Sequence, residues 1–197
     1  MRPASTPIPM YTRLHRETWL SRPPRATVPA ALRPWLTDPG SLTARIRARC
    51  MDFRVDVVSQ RLKRPNRDEA WLLGLRAGEL AWVREVLLVA DGRPVVFARS
   101  VLPRHNVRGA WNLFHGIGTR PLGAALFADP RVERQPLACI GLDRRDARYH
   151  RIAAALAGQR LPARVWARRS VFLLRGRALL VSEAFAPAIL DLPARPL

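Results

Sequence analysis

Trp82-Val-Arg-Glu-Val-Leu-Leu-Val-Ala90, then Asp91-Gly92, then Arg93-Pro-Val-Val-Phe-Ala-Arg-Ser-Val-Leu102 is the stretch that decides the fold. Two runs rich in β-branched residues flank Asp-Gly, a dipeptide that tolerates the positive φ angles of a two-residue hairpin turn. The same arrangement returns near the C-terminus, where RVWARRSVFLL (164–174) and RALLVSEAFA (177–186) flank Arg175-Gly176. A third strand is expected over FRVDVVSQ (53–60), in which Phe53, Val55 and Val57 alternate with Arg54, Asp56 and Val58. The hairpin connections are too short for helical crossovers, so the strands pair antiparallel. Helical stretches fall between them, and the expected class is α+β: a single domain in which helices pack on an antiparallel sheet.

Working outward, Thr27–Leu36 reads as a short amphipathic helix with Pro29 near its start, broken by Asp38-Pro39-Gly40-Ser41. Ser41 is placed to cap a second segment, Leu42–Cys50, with Leu42 and Ile46 on one face. KRPNRDEA (63–70) reads as a polar turn. A helix is expected from Thr119 to about Phe127, with Thr119 as N-cap and Pro121 in the first turn. Another is expected over Arg144–Ala157, closed by Gly158. Residues 1–13 are Pro-rich and unpatterned, which suggests a flexible arm; residues 14–192 form the domain and 193–197 a short tail.

The 197 residues carry 34 Lys+Arg against 15 Asp+Glu, a formal charge of +19. With 48% apolar and 25% charged residues, the chain is neither disordered nor fibrous. A large positive charge first suggests a nucleic-acid partner. Lys63 is the only lysine, however, and the arginines are spread along the chain without a binding motif, so no nucleic-acid partner is expected. The charge could instead hold the protein at an anionic lipid surface. Cys50 and Cys139 can form at most one disulfide, and no uncharged apolar run reaches about 18 residues. Together with the missing signal-peptide pattern, this points to a cytoplasmic protein with reduced thiols. The four scattered histidines and the two cysteines lack ligand spacing, so no metal site is expected.

Two charges stand on the wrong face. Trp82, Arg84, Val86 and Leu88 share one side of their strand, and Leu179, Val181, Glu183 and Phe185 share one side of theirs. An ion buried alone costs several kcal/mol, so each must find a partner or a ligand. Arg84 either pairs with a carboxylate such as Glu85 or Glu183, or serves a closed pocket that binds an anion. Arg99, on the partner strand, either adds a second cation or sits at the rim of the sheet.

At these residues the sequence resembles the chorismate pyruvate-lyase family. The matching stretches are Trp82 to Pro94, Ala98 to Pro103, Thr119 to Phe127, Trp166 to Ser170 and Leu179 to Pro187, in family order. The resemblance implies helical flaps over a buried site and a monomer that needs no cofactor or metal. It also implies cleavage of chorismate to 4-hydroxybenzoate and pyruvate, the first committed step of ubiquinone synthesis. The family's ligand-binding arginine falls on Arg84, its acidic residue on Glu183, and a leucine that binds through its backbone amide on Leu122. The first two are expected to be catalytic as well as substrate-binding. A flap methionine of the family falls on Leu42, in Ser41-Leu42-Thr43, where this sequence departs from the pattern. The stretch 131–164 is also longer than the family pattern. A rival is a small-molecule-sensing domain of the same fold, as in transcriptional regulators; the 81 residues before Trp82 show no three-helix DNA-binding pattern.

Overall fold

In a computed structural model, residues 19–107, 110–112, 116, 118–156 and 158–194 are described. The arm expected over 1–13 and residues 195–197 of the expected tail lie outside them. Among the described residues, seven strands form one antiparallel sheet: β1 (Phe53–Lys63), β2 (Ala81–Ala90), β3 (Arg93–Pro103), β4 (Val132–Arg134), β5 (Ala138–Asp143), β6 (Arg164–Leu174) and β7 (Arg177–Phe185). Their order is β1-β2-β3-β7-β6-β4, with β5 also paired to β6. Both hairpins form as expected. Asp91 and Gly92 take φ of 47° and 77°, and Arg175 and Gly176 take 51° and 72°. Positive φ at both central residues matches the right-handed strand twist. Asp91 adds a second role: its Oδ1 accepts hydrogen bonds from the amides of Met51 and Asp52 at 2.9 Å, fixing the entry to β1.

The central strands are buried on both faces, so their apolar runs are almost continuous. On the front face lie a 3₁₀ turn (Ala30–Leu32) and the short helices α1 (Arg33–Thr37) and α2 (Leu42–Arg47), whose Leu32, Trp35, Leu36, Leu42 and Ile46 pack on Val86, Leu88 and Ala98. Ser41 caps α2, its Oγ accepting from the Ala44 amide. The back face is covered by α3 (Arg67–Leu72) and, beyond α4 (Arg104–Val107) and α5 (Leu122–Ala128), by α6 (Ala147–Ala155). The long 131–164 stretch thus holds β4, β5 and the back-face helix.

Three expectations are corrected. KRPNRDEA is not a turn: Asn66 and Glu69 form a capping box that starts α3. Thr27–Leu36 is helical only from Ala30, because Pro29 sits extended at the N-cap (φ −51°, ψ 136°) and keeps Val28 before it out of the helix. Thr119 does not cap α5. Pro121, in extended conformation, occupies the N-cap without a side-chain bond, and the preceding carbonyls of Gly118 and Arg120 turn toward Arg84.

Candidate active site

Strand alternation places Arg84, Val86 and Leu88 of β2 on the front face, opposite Ala98 and Ser100 of β3 and Val181 and Glu183 of β7. The flap helices α2 and α5 close over them and meet each other. Gly123 of α5 lies so near α2 that a Cβ there would stand 3.0 Å from Thr43 Oγ1. The result is an inner cavity with only about 40 Å³ of free space, walled by Leu42, Val55, Val86, Leu88, Leu122, Leu126, Phe172 and Val181. The four residues that the family resemblance marks, Leu42, Arg84, Leu122 and Glu183, all line it. Leu42 and Leu122 open α2 and α5, respectively.

Arg84 is 2% exposed and pairs with neither Glu85 nor Glu183. It donates from one terminal nitrogen to the carbonyl of Gly118 at 2.8 Å and that of Arg120 at 3.5 Å, while its Nε is buried without an acceptor among the described residues. Burial pushes its pKa down, and no carboxylate offsets that push. A guanidinium remains charged under any physiological condition, so this is a buried cation with one unsatisfied edge.

Two further arginines reach the cavity that sequence reasoning missed. Arg168 of β6, 1% exposed, donates through Nε to Glu183 Oε2 at 2.7 Å and through a terminal nitrogen to the carbonyls of Trp35 and Asp38 at 2.8 and 2.9 Å. The signal was available: Trp166, Arg168, Ser170 and Phe172 share one face of β6, the same misplacement that marked Arg84. Arg134 ends β4 and donates to the flap carbonyls of Pro39 and Gly40. Its guanidinium lies 5.4 and 5.3 Å from the ring centres of Phe127 and Phe172. A three-residue strand has too little periodicity to reveal it. Three guanidinium groups and one carboxylate thus line a cavity whose other walls are mainly apolar, with the hydroxyls of Thr43, Ser100 and Ser170 among them, and the excess is two positive charges. Such a site suits a small dianion with an apolar ring.

Arg99 is not part of it. It sits opposite Glu85 in the β2–β3 register and therefore faces the back of the sheet. There it forks onto Glu69 at 2.8 and 2.9 Å and bonds Glu85 at 2.6 Å. Burial pushes Glu85 up, but hydrogen bonds from Arg151 and Ser59 and the charges of Arg99 and Lys63 outweigh it and hold its pKa at about 2. Because the folded pKa lies below the ordinary 4.5, the stabilisation is complete above pH 4.5 and is lost as pH falls toward 2. Glu85→Gln should cost about 3 kcal/mol at pH 7, because buried Arg99 keeps Glu69 but loses its second carboxylate, and half-exposed Arg151 loses its partner. Urea midpoints between pH 5 and 2 should then fall less steeply for the variant than for wild type; parallel curves would show that Glu85 does not carry this titration.

Residues 13–192 match the family described as chorismate lyase. The chain is 73% identical over 184 residues to a probable chorismate pyruvate-lyase of Aromatoleum aromaticum, covering 93% of this chain and all of the relative. It is 64% identical over 183 residues to one of Azoarcus sp., covering 92% and 96%. Among solved structures it resembles PhnF from Mycobacterium smegmatis, with TM-score 0.52 and 18% identity over 75% of this chain and 64% of that one. The C-terminal domain of the histidine utilization repressor from Pseudomonas syringae gives TM-score 0.51 and 13% identity over 70% and 93%. These last two likenesses are of fold alone.

Proposed function

The chain belongs to the chorismate lyase family, and from that premise we propose that it converts chorismate to 4-hydroxybenzoate and pyruvate in the inner cavity. The observation that carries the reading is Arg84, a buried guanidinium with an open Nε edge, set in the same apolar cavity as the carboxylate of Glu183. Chorismate carries a ring carboxylate, a hydroxyl at C4 and an enolpyruvyl ether at C3. The C3–O bond breaks, the hydrogen on C4 is lost as the ring becomes aromatic, and the released enol takes a proton on its methylene carbon to become pyruvate. The substrate equals the sum of the products, so no oxidant, reductant or water enters the balance.

What remains for the protein is to hold the flexible ether in a reactive pose and to stabilise charge as the bond breaks. Arg84 takes the ring carboxylate, which supplies the acceptor its Nε lacks. The amide of Leu122, at the start of α5, meets the same end of the substrate, by resemblance to the family. Glu183 meets the C4 hydroxyl: Oε2 is held by Arg168, while Oε1 has no hydrogen-bond partner among the described residues. It orients that hydroxyl and can pass a proton. Leu42 stands where the family has methionine and keeps the flap apolar with a stiffer side chain. We place the reaction at the first committed step of ubiquinone synthesis and the enzyme in the cytoplasm as a monomer.

Purified protein mixed with chorismate and EDTA should release 4-hydroxybenzoate and pyruvate in equal amounts. Binding of 4-hydroxybenzoate without any pyruvate release would leave only a sensing domain of this fold. A second expectation follows from the cavity's size. With about 40 Å³ free, neither substrate nor product can pass until the flaps part. Rapid mixing should show a burst of product followed by slower turnover set by release. A linear time course from the first turnover would mean that flap opening is fast.

A further inference from the structure

Two guanidinium groups of the inner cavity, that of buried Arg84 and that of half-buried Arg134, have no carboxylate within ion-pair distance among the described residues, and only one is used by the ring carboxylate. Arg168 is matched by Glu183. Arg84 and Arg134 each spend terminal nitrogens on backbone carbonyls, and each has a buried Nε without an acceptor. Resting on the reading that chorismate is the substrate, we infer that Arg134 receives its second carboxylate, the one on the enolpyruvyl group that departs as pyruvate.

Position supports the assignment. Arg134 and Phe127 line both the inner cavity and a more open groove of about 500 Å³ whose wall includes Leu36, Thr37 and Pro39. Arg134 therefore stands between the inner cavity and that groove, on the side where a three-carbon fragment can leave once the flaps part. Phe127 and Phe172 brace the guanidinium plane. A carboxylate needs that planar fork for a two-point contact. The same side chain holds the turn between α1 and α2 through the Pro39 and Gly40 carbonyls. Recognition of the leaving fragment and closure of the flap thus share one group. Once pyruvate has gone, the remaining product has a single carboxylate, held by Arg84, and Arg134 contributes little to keeping it.

This separates Arg134 from a residue that merely supports the pocket. Arg134→Gln should lower kcat/KM for chorismate about a hundredfold, the usual size for loss of a charged hydrogen-bonding partner. The Kd for 4-hydroxybenzoate should move less than about threefold. Arg134→Lys, which keeps the charge and loses the fork, should fall between them in kcat/KM. If Arg134→Gln weakens product binding as much as it weakens turnover, the residue acts only through the flap and the inference is wrong. Unchanged kcat/KM overturns it equally. Wild type run in parallel separates the two levels: pyruvate release with an indifferent variant removes only the role of Arg134. No pyruvate from wild type removes the chorismate reading and this inference with it.

Discussion

Arg84→Met should abolish nearly all turnover of chorismate, a loss of roughly 10³-fold or more in kcat/KM, without lowering the melting temperature. The two halves of this result have one cause. Arg84 is 2% exposed, burial pushes its pKa down, and no carboxylate compensates it. An uncompensated buried cation is a cost that a folded protein keeps where a ligand relieves it. An unbranched apolar side chain of similar length removes that cost and leaves only the carbonyls of Gly118 and Arg120 without their donor. Binding of 4-hydroxybenzoate should be lost alongside turnover, since both depend on the ring carboxylate. Arg84→Lys keeps a charge but cannot offer two parallel N–H groups, and should recover only a small part of the activity. Wild-type kcat/KM in Arg84→Lys would rule out the two-point contact. A large fall in melting temperature for Arg84→Met would make the residue structural instead.

Glu183→Gln should lower kcat by about 10²-fold or more while weakening 4-hydroxybenzoate binding less than about tenfold. Gln keeps the shape and one acceptor for the C4 hydroxyl, so the product still fits. It cannot take a proton, and it no longer neutralises Arg168, 1% exposed and 2.7 Å away. A stability loss of about 3 kcal/mol should accompany the change, because Arg168 is left buried with only the carbonyls of Trp35 and Asp38. Equal losses in kcat and in product affinity would leave Glu183 a binding group only.

These residues show how far sequence reaches. Both hairpins were legible because Asp91-Gly92 and Arg175-Gly176 stand at the turns between β-rich runs. Arg84 and Glu183 were legible because a charge at period two within an apolar stripe has few explanations. Arg168 obeys the same rule on β6, but Arg169 beside it masks the alternation: one of the pair faces the cavity, and the other reaches Asp68 on the opposite side. Arg99 shows the limit of a single strand. Its face follows from its register with Glu85, a tertiary fact. Local preference points to a cap at Thr119, and the contact of Gly118 with Arg84, thirty-four residues away, overrides it. Arg134 became visible only once β4 paired with the end of β6 and carried it under the flap. The overall charge of +19 said least: the part that bears on a small dianion is the excess of two inside the cavity.

Which end of the ring each cavity group holds is tested most directly by a crystal structure with 4-hydroxybenzoate bound. The carboxylate should lie on Arg84 within hydrogen-bond distance of Nε, with the hydroxyl on Glu183 and Arg134 making no contact with the product. A product bound with its ends reversed, or lodged in the outer groove with Arg84 still unsatisfied, would contradict this assignment.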